Sequence, residues 1–139
     1  MTLSVRRTED LSTCHALRRA VFTEEQGVPV EIDVDGTDDG AVHFIATLDG
    51  TPVGTARFLI LDDVAKIGRV CVLKEHRGKH IGVALIEACM SEAKAMGLTH
   101  AKLGAQQSAI GFYERLGYVA EGDMFLDADI PHRMMSAPL

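Results

Sequence analysis

The sequence lacks a membrane-length apolar run, a leader-like start, a cysteine framework and an excess of basic residues. Its longest apolar run that tolerates glycine, Ile81–Ile86, is far short of the roughly 20 residues that cross a bilayer. Arg6 and Arg7 stand where the apolar core of a secretory leader would run, so no membrane or export role is expected. Three cysteines, Cys14, Cys71 and Cys89, are an odd number without short spacings. They form neither a disulfide framework nor a zinc knuckle, which fits a reducing cytoplasm. Cys14 and Cys89 lie among apolar residues at helical spacing and read as small buried hydrophobes. The chain has 14 Lys+Arg against 20 Asp+Glu, a formal charge of −6. That balance argues against a nucleic-acid binder held by phosphate neutralisation.

What is present is an ordinary globular composition, 47% hydrophobic and 24% charged over 139 residues, enough for one domain spanning 1–139 with a single core. No repeat or linker interrupts it. The acid is uneven: seven carboxylates fall between Glu24 and Gly40 with no Lys or Arg among them. This stretch reads as a loop, either solvated or placed to attract a cationic substrate. Arg18 and Arg19, just before it, are expected to pair with it, the alternative being that they reach an anionic group on the substrate.

Local patterning predicts a strand over Leu3–Thr8, then a helix from about Leu11 to Glu25 on the spacing of Leu11, Cys14, Leu17 and Val21, with Gly27 as its stop. Val42–Leu48 and Val53–Leu61 read as strands joined across Asp49-Gly50, a hairpin signal. Lys66–Leu73 continues the meander. A stripe from Ile81 to Met96 predicts a four-turn helix, followed by a strand at Ala101–Ala105 and a helix at Ser108–Leu116. Tyr118–Ala120, Met124–Leu126 and Arg133–Met135 are weaker strand signals. The strand–helix–strand unit from Lys66 to Ala105 requires a right-handed crossover and a parallel pair. The fold class is α/β, with a mixed, mostly antiparallel sheet.

The most basic short stretch, Lys74–Gly82, lies where a strand gives way to a helix N-terminus, whose free N–H groups and dipole attract anions. Gly78-Lys79 is followed by His80 rather than Ser or Thr, so it is not a Walker loop, and no G-x-G-x-x-G follows any strand. Ser91 and Ser108 lack the glycines of a nucleophile elbow. His76 and His80 straddle a loop–helix junction with no third ligand near them in sequence, so no metal site is expected.

Arg77-Gly78-Lys79-His80-Ile81-Gly82, after the strand Gly68–Leu73, resembles the pyrophosphate loop of the GNAT N-acetyltransferase superfamily, with His80 in place of the middle glycine. Ala109–Tyr118, with its Phe112-Tyr113 pair and Gly117-Tyr118, is similar to the late helix of that superfamily. Val21–Pro29 with the acidic stretch and His43, and Phe125–His132, resemble its ElaA/YjcF-like branch. Together these blocks extend the resemblance over nearly the whole chain.

The resemblance implies an acyl-CoA N-acyltransferase fold whose central parallel pair splays to hold acetyl-CoA. It implies that the backbones of Val70 and Val72, flanking Cys71, pair with the pantetheine arm, with the Val72 N–H at the thioester. Amides from Gly78 through Lys79, His80, Ile81 and Gly82 to Val83, beside Arg77, would hold the pyrophosphate. Gln106 and Phe112 would line the other wall. Tyr113 would protonate the leaving thiolate. Glu25, His43 and His132 are the candidates for the base that accepts the amine proton. The implied activity is acetyl transfer to a primary amine of a small molecule. A non-catalytic acyl-CoA sensor and a protein lysine acetyltransferase remain as alternatives. Monomer and homodimer stay open.

Overall fold

The computed structural model describes residues 2–139. One seven-stranded sheet runs through the molecule in the order β1-β2-β3-β4-β5-β7-β6. Its strands are β1 (Leu3–Thr8), β2 (Val42–Leu48), β3 (Thr51–Leu61), β4 (Val64–Val72), β5 (His100–Gln106), β6 (Val119–Asp127) and β7 (Ile130–Pro138). All neighbours are antiparallel except β4 and β5. The helices are α1 (Leu11–Arg18), α2 (Val30–Asp33), α3 (Ile81–Ala95) and α4 (Ile110–Arg115).

The β2–β3 turn is built as its Asp-Gly sequence predicts: Asp49 and Gly50 both have positive φ, 52° and 85°, matching the twist of the strands they join. The β6–β7 turn uses the same left-handed pair, Ala128 (φ 51°) and Asp129 (φ 63°), but without glycine, so the sequence does not announce it. The three weak C-terminal strand signals are two long strands. β6 carries an irregularity between Glu121 and Phe125, where Gly122 sits at φ 74°, and that break splits its sequence pattern in two.

α3 lays Ile81, Leu85, Ile86, Cys89 and Ala93 against Phe44, Ala46, Ala56, Phe58 and Ile67 of the sheet. Gly54 is required for this packing: a Cβ there would stand 2.8 Å from the Cys71 carbonyl oxygen and 3.2 Å from Leu85. On the opposite face Leu17 of α1 and Val21, just beyond it, pack on Ile45 and Cys71. Asp10 caps α1, its Oδ1 accepting from the Thr13 N–H at 3.1 Å.

Two features depart from the sequence reading. The first helix does reach Glu25, but from Arg19 onward it is wound as a π-helix, a rare, wide form frequent at functional sites. The acidic stretch is not a loose loop. It folds as α2 and a 3₁₀ turn at Asp38–Gly40, with Asp33 and Asp38 buried.

Candidate active site

The parallel pairing of β4 and β5 covers only Val64–Ile67 against His100–Leu103. Beyond it both strands continue apart, leaving the β5-facing edge of residues 68–72 without a strand partner. The same stretch of β4 is bulged: Thr55 pairs with Cys71 but Arg57 with Gly68, so Arg69 and Val70 together face Ala56. Arg69 takes a left-handed conformation there, φ 52°. A bulge bends and twists its strand, which steers β4 away from β5. The resulting split opens a cleft of about 1080 Å³, lined by Val70, Cys71, Val72, Arg77, Gly78, His80, Ile81, Gly82, Val83, Gln106, Phe112 and Tyr113 among others. Of the acyl-CoA residues expected from sequence, only Lys79 lies outside this lining.

The Lys74–Gly82 stretch closes one end of the cleft. Gly78 (φ 81°) and His80 (φ 61°) are both left-handed, and His80 is the residue before α3. This explains the glycine expected at position 80. The backbone needs positive φ, which histidine adopts more readily than most non-glycine residues. The N–H groups of the first turn of α3 have no intrahelical acceptors. Phe112 lies 3.7 Å from where a Cβ on Gly82 would be, tying α4 to this turn.

Arg77 does not reach freely into the cleft. Its Nη1 and Nη2 donate to Glu25 Oε2 and Oε1, each at 2.7 Å, and its Nε donates to the Val72 carbonyl at 3.0 Å. The Arg77 hydrogen bonds hold the Glu25 carboxyl below its usual pKa, and Glu25 raises that of Arg77. Glu25 is thus an ion-pair partner of the loop and is not among the residues lining the cleft. His43 is buried on β2, its Nε2 2.9 Å from the Asp38 carbonyl oxygen, and it does not line the cleft either. Gln106 lines the cleft and donates through Nε2 to Gln26 Oε1 at 3.1 Å, linking the end of β5 to the end of the π-helix.

Tyr113 borders the cleft between two aromatic neighbours, its ring 5.0 Å from Phe112 and 5.8 Å from Tyr118 in edge-on contacts. Burial pushes its phenol up to about 12. His132, buried on β7, also lines the cleft. Its Nδ1 is 2.7 Å from the Ile130 carbonyl oxygen. A carbonyl only accepts, so Nδ1 carries the hydrogen and Nε2 keeps the lone pair of the neutral ring. Phe125 stacks on the imidazole at 5.8 Å.

Sequence reasoning missed the polar wall. Arg18, 1% exposed, donates from Nε to both Asp33 oxygens at 3.1 and 3.2 Å and from Nη1 to Asp38 Oδ1 at 2.8 Å. Arg57 donates from Nη1 to the same Asp38 oxygen at 2.7 Å, and His15 Nε2 is 2.8 Å from Asp38 Oδ2. Burial alone would raise the Asp38 carboxyl, but the hydrogen bonds from Arg18, His15 and Arg57 outweigh it and hold the group well below the usual carboxylate range. Arg69 pairs with Asp33 at 3.1 Å and Asp35 at 3.5 Å. The expectation that this acid attracts a cationic substrate is corrected for Asp33 and Asp38: both are consumed by arginines. Arg18 meets its expected partners, whereas Arg19 is solvent-exposed. The alternating charges that form this network are far apart in sequence, and Arg57 sits in an otherwise apolar strand.

Comparison with known proteins agrees with this architecture. Residues 10–118 match the acetyltransferase (GNAT) family. The chain is 36% identical over 128 residues to YjcF of Bacillus subtilis, described as an uncharacterised N-acetyltransferase, with 91% of each chain covered. Among solved structures it resembles an acyl-CoA N-acyltransferase from Pseudomonas aeruginosa at 31% identity and TM-score 0.85, covering 98% of both chains. It also resembles Escherichia coli ElaA at 27% identity and TM-score 0.87, covering 98% of this chain and 99% of that one. The architecture is therefore that of a known fold, and the chain belongs to the acetyltransferase (GNAT) family.

Proposed function

We propose that the protein transfers the acetyl group of acetyl-CoA to a primary amine of a small molecule, by direct attack in a ternary complex. The observation that carries this reading is the continuity of one cleft from the turn before α3, along the open edge of β4, to Tyr113 and His132. A phosphate-sized anion suits the free N–H groups of that turn, and an extended pantetheine arm suits an unpaired strand edge.

In this reading Val70 and Val72 supply backbone partners to the arm and to the thioester oxygen. One preorganised donor at a developing oxyanion is typically worth about 10²–10³ in rate. The amine nitrogen bonds to the thioester carbon, and collapse of the tetrahedral adduct breaks the C–S bond. His132 Nε2 takes the proton from the nitrogen. Tyr113 meets the departing sulfur. With a thiol of ordinary pKa about 8.5, full proton transfer from a phenol near 12 runs uphill. Tyr113 therefore acts as a hydrogen-bond donor that stabilises the thiolate until solvent protonates it. Glu25 and His43, held elsewhere, have no part in the chemistry. The α2 segment, pinned by Arg18 and Arg69, walls the acceptor end through Ile32 and Asp35, which supports a small molecule rather than a protein lysine.

The test is calorimetric binding of acetyl-CoA, followed by CoA-thiol release with a panel of amines. Binding with amine-dependent release supports the transferase. Tight binding without turnover on any amine would support a sensing module instead.

A further inference from the structure

Arg57 is 5% exposed and lines the cleft. Among the described residues its one hydrogen-bond acceptor is Asp38 Oδ1, and that oxygen is shared with Arg18. The Nε and Nη2 donors of Arg57 thus have no protein partner. Arginine cannot shed its charge, and these spare donors are not among the enclosed unpaired polar atoms of the described residues, so an acceptor in the cleft that Arg57 lines can reach them. Arg18 and Arg69 each engage two carboxylates, Arg18 with Asp33 and Asp38 and Arg69 with Asp33 and Asp35, whereas Arg57 has only the shared Asp38 oxygen. Lys66, also on the cleft, is exposed and makes no ion pair among the described residues. Two further carboxylates of the lining, Asp35 and Asp127, are exposed.

We infer that the acceptor end of the cleft is a carboxylate pocket: the amine acceptor carries a carboxylate that Arg57 binds, with Lys66 adding charge at the entrance. This deepens the proposed transferase reading and rests on it. Charge-assisted bonds from a planar guanidinium suit a carboxylate better than they suit water. Arg57 is in register with Gly68, two residues before Val70 on β4. That is roughly 7 Å along the strand, so the amine and carboxylate are separated by a few bonds. Leu59, Phe125 and Met134 line the space around them, which favours an apolar body between the two ends.

The experiment compares carboxylated amines (the α-amino acids, β-alanine and 4-aminobutyrate) with their carboxamides as acceptors, and titrates both sets calorimetrically onto the protein with CoA. At least one acid should exceed its carboxamide by about 10-fold or more in kcat/KM, as expected for a lost charged hydrogen bond. In Arg57→Gln that ratio should fall to near one through a higher KM for the acid, with KM for acetyl-CoA unchanged. A purely structural Arg57 would weaken acids and carboxamides alike. Should R57Q not fold, the acid–carboxamide comparison on the native protein decides. Carboxamides or uncarboxylated amines used or bound as well as the acids overturn the pocket. Failure of acetyl-CoA itself to bind overturns the transferase reading alone, because the calorimetric comparison still reads the pocket.

Discussion

Arg77 and Glu25, 52 residues apart in sequence, are joined by two hydrogen bonds of 2.7 Å each. The pair fastens the end of the π-helix to the basic turn before α3, and Arg77 Nε fastens the same turn to Val72. It relates the acceptor wall to the proposed phosphate end of the cleft. Because it is solvent-exposed, its contribution is modest. Glu25→Gln should therefore change KM for acetyl-CoA by no more than about 5-fold and leave kcat nearly intact. Loss of kcat in steady-state assays would return Glu25 to the chemistry.

Tyr113→Phe removes one oxygen and keeps the ring contacts with Phe112 and Tyr118. We expect kcat to fall on the order of 10²-fold with acetyl-CoA affinity unchanged. Burial raises the phenol to about 12, so Tyr113 remains a donor throughout the neutral and mildly alkaline range. The native pH–rate profile should accordingly show no loss attributable to Tyr113 below about pH 11. An alkaline limb near pH 10 that disappears in the variant would contradict this.

His132→Gln should lower kcat by on the order of 10²-fold or more, the usual contribution of a positioned base. The loss should shrink when a more nucleophilic, largely deprotonated amine is offered at high pH. A loss that persists there, matched by a lower melting temperature, would make His132 a structural anchor for the β6–β7 turn.

Asp38 is held well below the usual carboxylate range by Arg18, His15 and Arg57 against the opposing effect of burial. A depressed folded-state pKa adds stability that is complete above the unfolded value of about 4 and is lost as pH falls through that value toward the folded one. Urea unfolding between pH 6 and 2 should show this loss, and Asp38→Asn should flatten it. The substitution also leaves Arg18 and Arg57 short of a counter-charge, so we expect about 3–5 kcal/mol of destabilisation near neutral pH.

Ala128 has φ 51° in the β6–β7 turn, a conformation costing a non-glycine residue about 1–2 kcal/mol. Ala128→Gly should raise stability by roughly 0.5–1 kcal/mol once the added freedom of the unfolded chain is counted. A lower urea midpoint would show that the alanine methyl is packed to greater advantage than the strain it carries.

Most of the fold was legible in the sequence because it is encoded locally. Strand and helix periodicity, the Asp49-Gly50 turn and the stop at Gly27 each depend on a few adjacent residues. The β6–β7 turn was not legible, since Ala128 carries no turn signal and its conformation is imposed by the two strands it connects. The turn before α3 was legible too, because its glycines and helix start leave a mark at fixed spacing; in the proposed reading the backbone N–H groups they expose hold the acyl-CoA phosphates. His80 looked like a departure there; its left-handed backbone shows that the geometry asked of the glycine is met.

The acceptor end was different. The sequence by itself determined an α/β fold with a basic, glycine-containing turn between a strand and a helix, and it determined that acid clusters between Glu24 and Asp39. Only the tertiary structure decided what that acid does. Asp33 and Asp38 become buried partners of Arg18, Arg57 and Arg69, contributed by a helix and two neighbouring strands. Side-chain charges act through space, and their pairing is fixed by which elements pack together, which no local pattern along the chain records.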